Sequence, residues 1–257
     1  TKATEVEHFC DTPHFSPWLR EMLQGRLAAG RTEDAHQVRA RAHFLKAWEL
    51  CPDRAAAAAA MINIVKSGNG ISGETARPWF ARAPAVAFAH YPAYHNYLET
   101  LRHDRHDSLD KMKAFYCACA LTDRDDTAVA AAMRRTIDRL AYDSSDIRRV
   151  LSQSPMKEAA IHSCRLMAES KNVYRVWEHP WRLADLGKIA WAAWDYETAD
   201  EILQQVPVPF PRETRRSRHL HLNGAENEES IRGESRLFAL GLDKEWEAAE
   251  DLYRFDK

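Results

Sequence analysis

Glycine and proline are scarce in this sequence, with nine and eleven residues among 257. Both residues interrupt helices, and a turn-rich β-protein needs many of them. Their scarcity accompanies a high content of Ala, Leu, Arg and Glu, which favours helix over strand. The composition therefore predicts a nearly all-α protein, long enough for one extended domain or two compact ones.

An excess of charge and a long apolar run are both missing. The 36 basic and 38 acidic residues give a formal net charge of −2, so no global field points to nucleic acid or to an anionic membrane. No apolar run reaches the roughly 18 to 20 residues that a membrane span requires. No signal peptide is visible, although a chain that begins at Thr1 instead of Met is compatible with removal of an N-terminal segment. We therefore expect a cytoplasmic protein with no membrane partner.

Cysteine is uncommon and its positions lack the spacing of a metal site. The five residues are Cys10, Cys51, Cys117, Cys119 and Cys164. The closest two are separated by two positions on a predicted helix, which places their side chains about 200° apart. The scatter predicts buried thiols in a reducing compartment.

The segment Leu183–Pro207 has the apolar pattern of a helix–turn–helix hairpin. Its small and large apolar residues recur on one face of each helix: Leu186, Gly187, Ala190, Ala199 and Leu203. Asp195 and Tyr196 mark the turn, and Pro207 ends the second helix. This pattern closely resembles a tetratricopeptide-type repeat, a helical unit that forms binding surfaces.

A small residue, a large ring four positions later and a small residue three positions after that recur along the chain. The copies are Ala40/Phe44/Ala47, Ala76/Phe80/Ala83 and, more loosely, Met112/Tyr116/Cys119. The same offsets recur in Ala199/Leu203/Val206, where a leucine stands in place of the ring. The first three are 36 residues apart. Such a spacing places all three side chains on one helix face, where the small residues allow a close neighbour. A recurrence of this length predicts a helical solenoid.

The helices that carry these triplets alternate with partner helices. Capping and breaking residues predict helices at 17–30, 32–50, 54–66, 92–103, 126–142, 144–152 and 155–171. After Val206 the prolines at 207, 209 and 211 exclude regular helix. We therefore predict a repeat array over residues 1–206, a proline-rich and basic linker over 207–229, and a helical cap over 230–257, because solenoids need their last open face covered.

The run His90–Thr122, HYPAYHNYLETLRHDRHDSLDKMKAFYCACALT, resembles a family of largely uncharacterised bacterial tetratricopeptide-like proteins. In that family a helix opened by a Tyr-Pro-Ala-Tyr-like sequence leads through a basic loop into a Ser-capped helix with Met and Phe. The family's loop is usually rich in Trp and Gly, whereas this chain has His-Asp-Arg-His-Asp, so no role of the loop is carried over. The resemblance implies an all-helical repeat fold and supplies no reaction.

In tetratricopeptide arrays the first helix of each repeat lines the concave surface and binds partner segments. By that resemblance the expected partner-binding residues are Asn63, Lys66, His95, Asn96, Glu99, Lys188 and Trp191. Core packing is an equal alternative for Trp191, and a solvated surface is the alternative for the polar residues. Asn63 and Asn96 are the most informative, because Asn has poor helix propensity and needs another reason to stand in mid-helix.

Two further clusters could carry chemistry. His103 and His106, with the carboxylates of Asp104 and Asp107, could bind Zn²⁺, although a polar loop that opens a helix at Ser108 explains them better. The basic cluster Arg212–Arg218, with His219 and His221 after it, could bind phosphate, although a solvated linker is favoured.

No pattern points to a catalytic nucleophile. Neither a Gly-x-Ser-x-Gly elbow, a phosphate-binding glycine loop nor a His-Glu-x-x-His motif occurs. We therefore expect no catalysis and no cofactor. The sequence predicts a right-handed α-solenoid of degenerate tetratricopeptide-like hairpins that binds a protein or peptide, as an adaptor, a chaperone-type or an immunity-type protein. The alternative is a metal-binding protein or hydrolase that uses His103 and His106.

Overall fold

The first helix, α1 (Pro17–Ala29), shows how local sequence sets the helix boundaries. The Ser16 side chain accepts a hydrogen bond from the backbone N–H of Leu19, and Pro17 occupies the first turn, where its missing N–H costs nothing. Gly30 follows the last helical residue. The predicted start and end of this helix are confirmed.

A computed structural model describes residues 15–31, 33–66, 75–103, 107–124, 127–144, 146–170, 179–206 and 235–236. The other helices are α2 (Asp34–Leu50), α3 (Ala55–Lys66), α4 (Ala76–Val86), α5 (Tyr91–His103), α6 (Ser108–Ala120), α7 (Thr127–Asp143), α8 (Ile147–Leu151), α9 (Met156–Glu169), α10 (His179–Ala192) and α11 (Tyr196–Leu203). No strand occurs in the described ranges, so the all-α prediction is confirmed. Within those same ranges, no helix combines the length and the apolar character needed to cross a bilayer.

The helices belong to two compact units, Thr1–Ser108 and Leu109–Lys257. In the first unit each helix contacts the next, and α3 also contacts α5. In the second unit α9 contacts α10 and α11, α10 contacts α11, and the short α8 contacts α7, α9 and α10. Both units thus contain contacts between consecutive helices and contacts between helices two apart in sequence. The predicted linker and cap lie outside the described residues except for Ser235 and Arg236.

The repeated small–ring–small triplets form the packed faces of α2, α4, α6 and α11. Every triplet residue is buried except Phe80, which is half-buried and stacks on Tyr97 of α5 with ring centroids 4.2 Å apart. The small members leave room for the neighbouring backbone and the large members fill the space between helices. The predicted packing role of the triplet residues is confirmed, with Phe80 only half-buried.

Two of the cysteines contribute to the core of the second unit. Cys119 and Cys164 are buried, whereas Cys51 and Cys117 are half-buried, and these four are free thiols. Burial raises the pKa of Cys119 to about 12 and also raises the pKa of Cys164. Cys10 lies outside the described residues.

Candidate functional site

A cleft of about 440 Å³ opens in the first unit on helices α1, α3 and α5. Its lining residues, which we call the α1/α3/α5 cleft, are Arg26, Ala29, Gly30, Phe44, Ala56, Ala59, Ala60, Asn63, Ile64, His90, Pro92 and Asn96. Only Phe44 comes from α2, so the cleft is formed almost entirely by alternate helices of the chain.

The alanine run at the start of α3 creates the space. Ala56, Ala59 and Ala60 line the cleft, and Ala59 is buried while Ala56 and Ala60 are half-buried. A methyl side chain fills little volume, so α1 and α5 flank a depression over this part of α3. The high helix propensity of alanine keeps the segment helical without larger side chains.

Two of the predicted binding residues line this cleft. Asn96 donates a hydrogen bond from Nδ2 to the carbonyl oxygen of Ala59, at 2.8 Å, and so ties α5 to α3. This hydrogen bond explains why Asn, which has poor helix propensity, stands in the middle of α5. Asn63 is exposed on α3 and lines the same cleft. The cleft therefore presents two amide side chains from neighbouring first helices.

The ionisable side chains that line the α1/α3/α5 cleft are one arginine and one histidine. Arg26 is exposed in the last turn of α1, and His90 is half-buried directly before α5. Burial lowers the pKa of His90, which favours the neutral imidazole near pH 7. None of the twelve lining residues carries a carboxylate, so the cleft suits a ligand with acidic groups better than one with basic groups.

Three other predicted residues of the first unit do not line the cleft. Lys66 ends α3 and is half-buried. His95 stacks on Tyr91, with ring centroids 5.8 Å apart. Glu99 is buried, and its Oε2 lies 3.9 Å from Nη1 of Arg102. Tyr91 and Arg102 belong to the same helix, α5, as His95 and Glu99.

The remaining two predicted residues, Lys188 and Trp191, belong to α10 in the second unit. Trp191 is only 1% exposed, and the Arg148 guanidinium lies 3.9 Å from the centroid of its indole ring. A side chain this deeply buried has no surface to offer a partner. Trp191 is therefore a core residue, which was the alternative given in the sequence analysis. It is not part of the candidate binding surface. Lys188 is half-buried on the same helix.

Sequence reasoning missed Arg26 and His90, because each lies at a helix end and neither belongs to a recognisable motif. The available signal was positional: Arg26 is in the last turn before Gly30, and His90 directly precedes α5. Both predicted clusters with metal or phosphate chemistry fall mainly outside the described residues, namely His106 and the segment 212–221. Within the described part of the chain, no three His, Cys, Asp or Glu residues are grouped to hold a metal ion.

Comparison with known proteins adds no relative. No family model, no curated protein and no solved structure matches this chain.

Proposed function

We propose that the protein is a helical-repeat module that binds a peptide segment of another protein in the α1/α3/α5 cleft. The fold that goes with this proposal is a right-handed α-solenoid of tetratricopeptide-like hairpins, α1–α2, α3–α4 and α10–α11 among them. It is supported by the repeated triplets and by the contact between α3 and α5, which are separated by one helix in sequence.

The observation that carries the proposal is the position of the cleft on first helices of successive hairpins. Asn63 and Asn96 were expected on a binding surface from the resemblance to tetratricopeptide arrays, and both line this cleft. Amide side chains can donate to and accept from the backbone of an extended peptide, whatever its sequence. Arg26 adds a charge-assisted contact to an acidic group of that peptide. Affinity then depends on these few anchors instead of on total buried area.

The proposed C-terminal cap is supported by one contact in the second unit. Nη1 of Arg236 donates to Oδ2 of Asp200 on α11, at 2.8 Å, and the neighbouring Ser235 is fully buried. A segment that covers α11 would shield the apolar residues Ile202, Leu203 and Val206, which are buried in the folded chain. The adaptor, chaperone-type and immunity-type roles all remain compatible with such an array.

The test begins with a random peptide library panned against the purified full chain. Peptides that enrich are synthesised and their dissociation constants are measured by fluorescence polarisation. We expect Asn63→Ala and Arg26→Gln each to weaken binding about tenfold, because each removes one anchor worth about 1.4 kcal/mol. The matched control is Arg39→Gln, since Arg39 is exposed on α2 and does not line the cleft.

The expected result is loss of affinity in both cleft variants and none in the control. Failure of any peptide to enrich, or equal affinity of wild type, Asn63→Ala and Arg26→Gln, would overturn the assignment. Circular dichroism of each variant verifies that the helical content is unchanged.

A further inference from the structure

A second cavity lies in the first unit between α2 and α4, with a volume of about 540 Å³. Its lining residues, which we call the α2/α4 pocket, are Arg41, Leu45, Trp48, Glu49, Thr75, Pro78, Trp79 and Arg82. None of them lines the α1/α3/α5 cleft. The pocket is therefore a separate site with its own chemistry.

Two tryptophans give the pocket an aromatic wall. Trp48 and Trp79 meet edge to face, with ring centroids 6.2 Å apart and an interplanar angle of 90°. Trp79 is buried, whereas Trp48 is half-buried. The two rings form a corner with part of the Trp48 indole open to solvent. An open indole beside a cavity is a surface on which a planar ring can stack.

A guanidinium is held against this wall. The Cζ atom of Arg82 lies 4.3 Å from the Trp79 ring centroid and 5.9 Å from that of Trp48. The cation–π contact reduces the freedom of the side chain, yet the N–H donors of a stacked guanidinium stay available for an oxyanion. Arg82 is exposed, so it remains accessible from solvent.

The polar groups of the pocket favour an anion. Arg41 supplies a second guanidinium to the lining, against a single carboxylate from Glu49. The start of α4, directly after the lining residue Thr75, adds the positive end of the helix dipole. An oxyanion at the mouth of the pocket would thus meet two cations.

From the aromatic corner and the two arginines together, we propose that the α2/α4 pocket binds a small molecule that combines a planar aromatic ring with an oxyanion. The ring stacks against Trp48, and the oxyanion bonds to Arg82 and Arg41. Ligand pockets typically enclose about 300–1,000 Å³, so this one has room for a molecule as large as a nucleoside monophosphate. This site is independent of the peptide cleft, and the failure of one proposal leaves the other standing.

The probes distinguish the two parts of the ligand and the two sources of the oxyanion. Adenosine 5′-monophosphate carries a ring and a phosphate, and indole-3-carboxylate carries a ring and a carboxylate. Adenosine and inorganic phosphate each lack one part. Binding of each probe to the full chain is measured by isothermal titration calorimetry. We expect at least one of the two complete probes to bind at least tenfold more tightly than both incomplete ones.

The variants identify the site. Arg82→Gln and Arg41→Gln should each weaken the bound probe about tenfold, and Arg82→Lys should recover only part of the loss, because lysine keeps the charge without the planar donor pair. Trp48→Leu should weaken the probe by removing the stacking surface. Asn63→Ala should have no effect. The proposal is overturned if neither complete probe binds at millimolar concentration, or if binding survives Arg82→Gln and Trp48→Leu unchanged in folded protein.

Discussion

Gly25 of α1 and Phe44 of α2 are so close that a Cβ atom added to the glycine would lie 2.5 Å from Cε1 of the ring. The same relationship recurs in the second unit, where a Cβ at Gly187 of α10 would lie 2.5 Å from Cγ of Leu203 on α11. In each hairpin a glycine of the first helix contacts the large middle residue of one of the repeated triplets on the second helix. In both units, therefore, the absence of a glycine side chain lets a large apolar side chain of the next helix pack closely against the first.

This contact predicts that Gly25→Ala and Gly187→Ala destabilise the protein. Alanine improves helix propensity by about 1 kcal/mol, but overpacking of a buried contact costs ~1–3 kcal/mol, and both partners are buried side chains that cannot move aside freely. Guanidinium unfolding should show that the free energy of unfolding falls by up to about 2 kcal/mol in each variant.

Gly30→Ala is the matched control for this prediction. A Cβ there would meet nothing closer than 3.6 Å, and the backbone φ of −69° suits any residue. We expect Gly30→Ala to be neutral or slightly stabilising. Equal stabilities of Gly25→Ala and Gly30→Ala would contradict the proposed closure of the hairpin.

The hairpin geometry explains why the sequence pattern included Gly187 and did not include Gly25. Gly187, Ala199 and Leu203 have the spacing of a tetratricopeptide hairpin, so the sequence placed each of them on a patterned face of its helix. The separation between Gly25 and Phe44 is longer, which shifts Gly25 out of that pattern. Periodicity within a helix is local, whereas the pairing of two helices also depends on where the intervening loop ends.

The candidate site shows a similar division. Asn63 and Asn96 were predictable because a mid-helix asparagine needs a reason beyond propensity. Arg26 and His90 were not, since they come from the ends of two helices that meet only in the folded chain. The burial of Trp191 could not be decided either, because a helix packed on two sides buries two faces and periodicity does not say which face remains open.

A second prediction concerns Trp194, which is 57% exposed and has a φ of +60° in the turn between α10 and α11. An L-residue in this left-handed region is strained by its Cβ, and glycine is not. Trp194→Gly should therefore be about 1 kcal/mol more stable than Trp194→Ala in urea unfolding. Both variants lose the same contact with Arg148, whose Cζ is 5.6 Å from the ring. The difference between their free energies of unfolding therefore reports the backbone strain at this position. A more stable alanine variant would show that the turn is not strained.

A third prediction concerns the pH dependence of the first unit. Burial of Glu21 alone would raise its pKa, but hydrogen bonds from Lys46 and His43, each 2.7 Å long, lower it below its ordinary value of 4.5. The folded chain thus holds the carboxylate charge more tightly than the unfolded chain does. The resulting stability is present above about pH 4.5 and is lost as the pH falls through the lower folded pKa.

Glu21→Gln should therefore lower the free energy of unfolding by about 1–2 kcal/mol at pH 7, a figure reduced by the exposure of Lys46. The difference from wild type should shrink when urea unfolding is repeated at successively lower pH below 4.5. Asp53→Asn, at an exposed position between α2 and α3, is the control and should show a small difference without this pH profile. A Glu21→Gln penalty that stayed constant from pH 7 to pH 3 would mean that packing, and not the charge, is responsible.

A fourth prediction tests the contact between Arg236 and Asp200, on which the proposed cap depends. Asp200 is buried, and its carboxylate accepts a hydrogen bond from Nε2 of Gln204 at 2.6 Å, directly after α11, as well as one from Arg236. We propose a double-mutant cycle with the variants Asp200→Asn, Arg236→Gln and the two combined. The expected coupling free energy is about 1 kcal/mol, because one partner is buried and the other is half exposed. The coupling should weaken in 1 M salt, which screens the exposed guanidinium. Zero coupling in low salt, measured by chemical unfolding, would show that the C-terminal segment does not hold α11 through this pair.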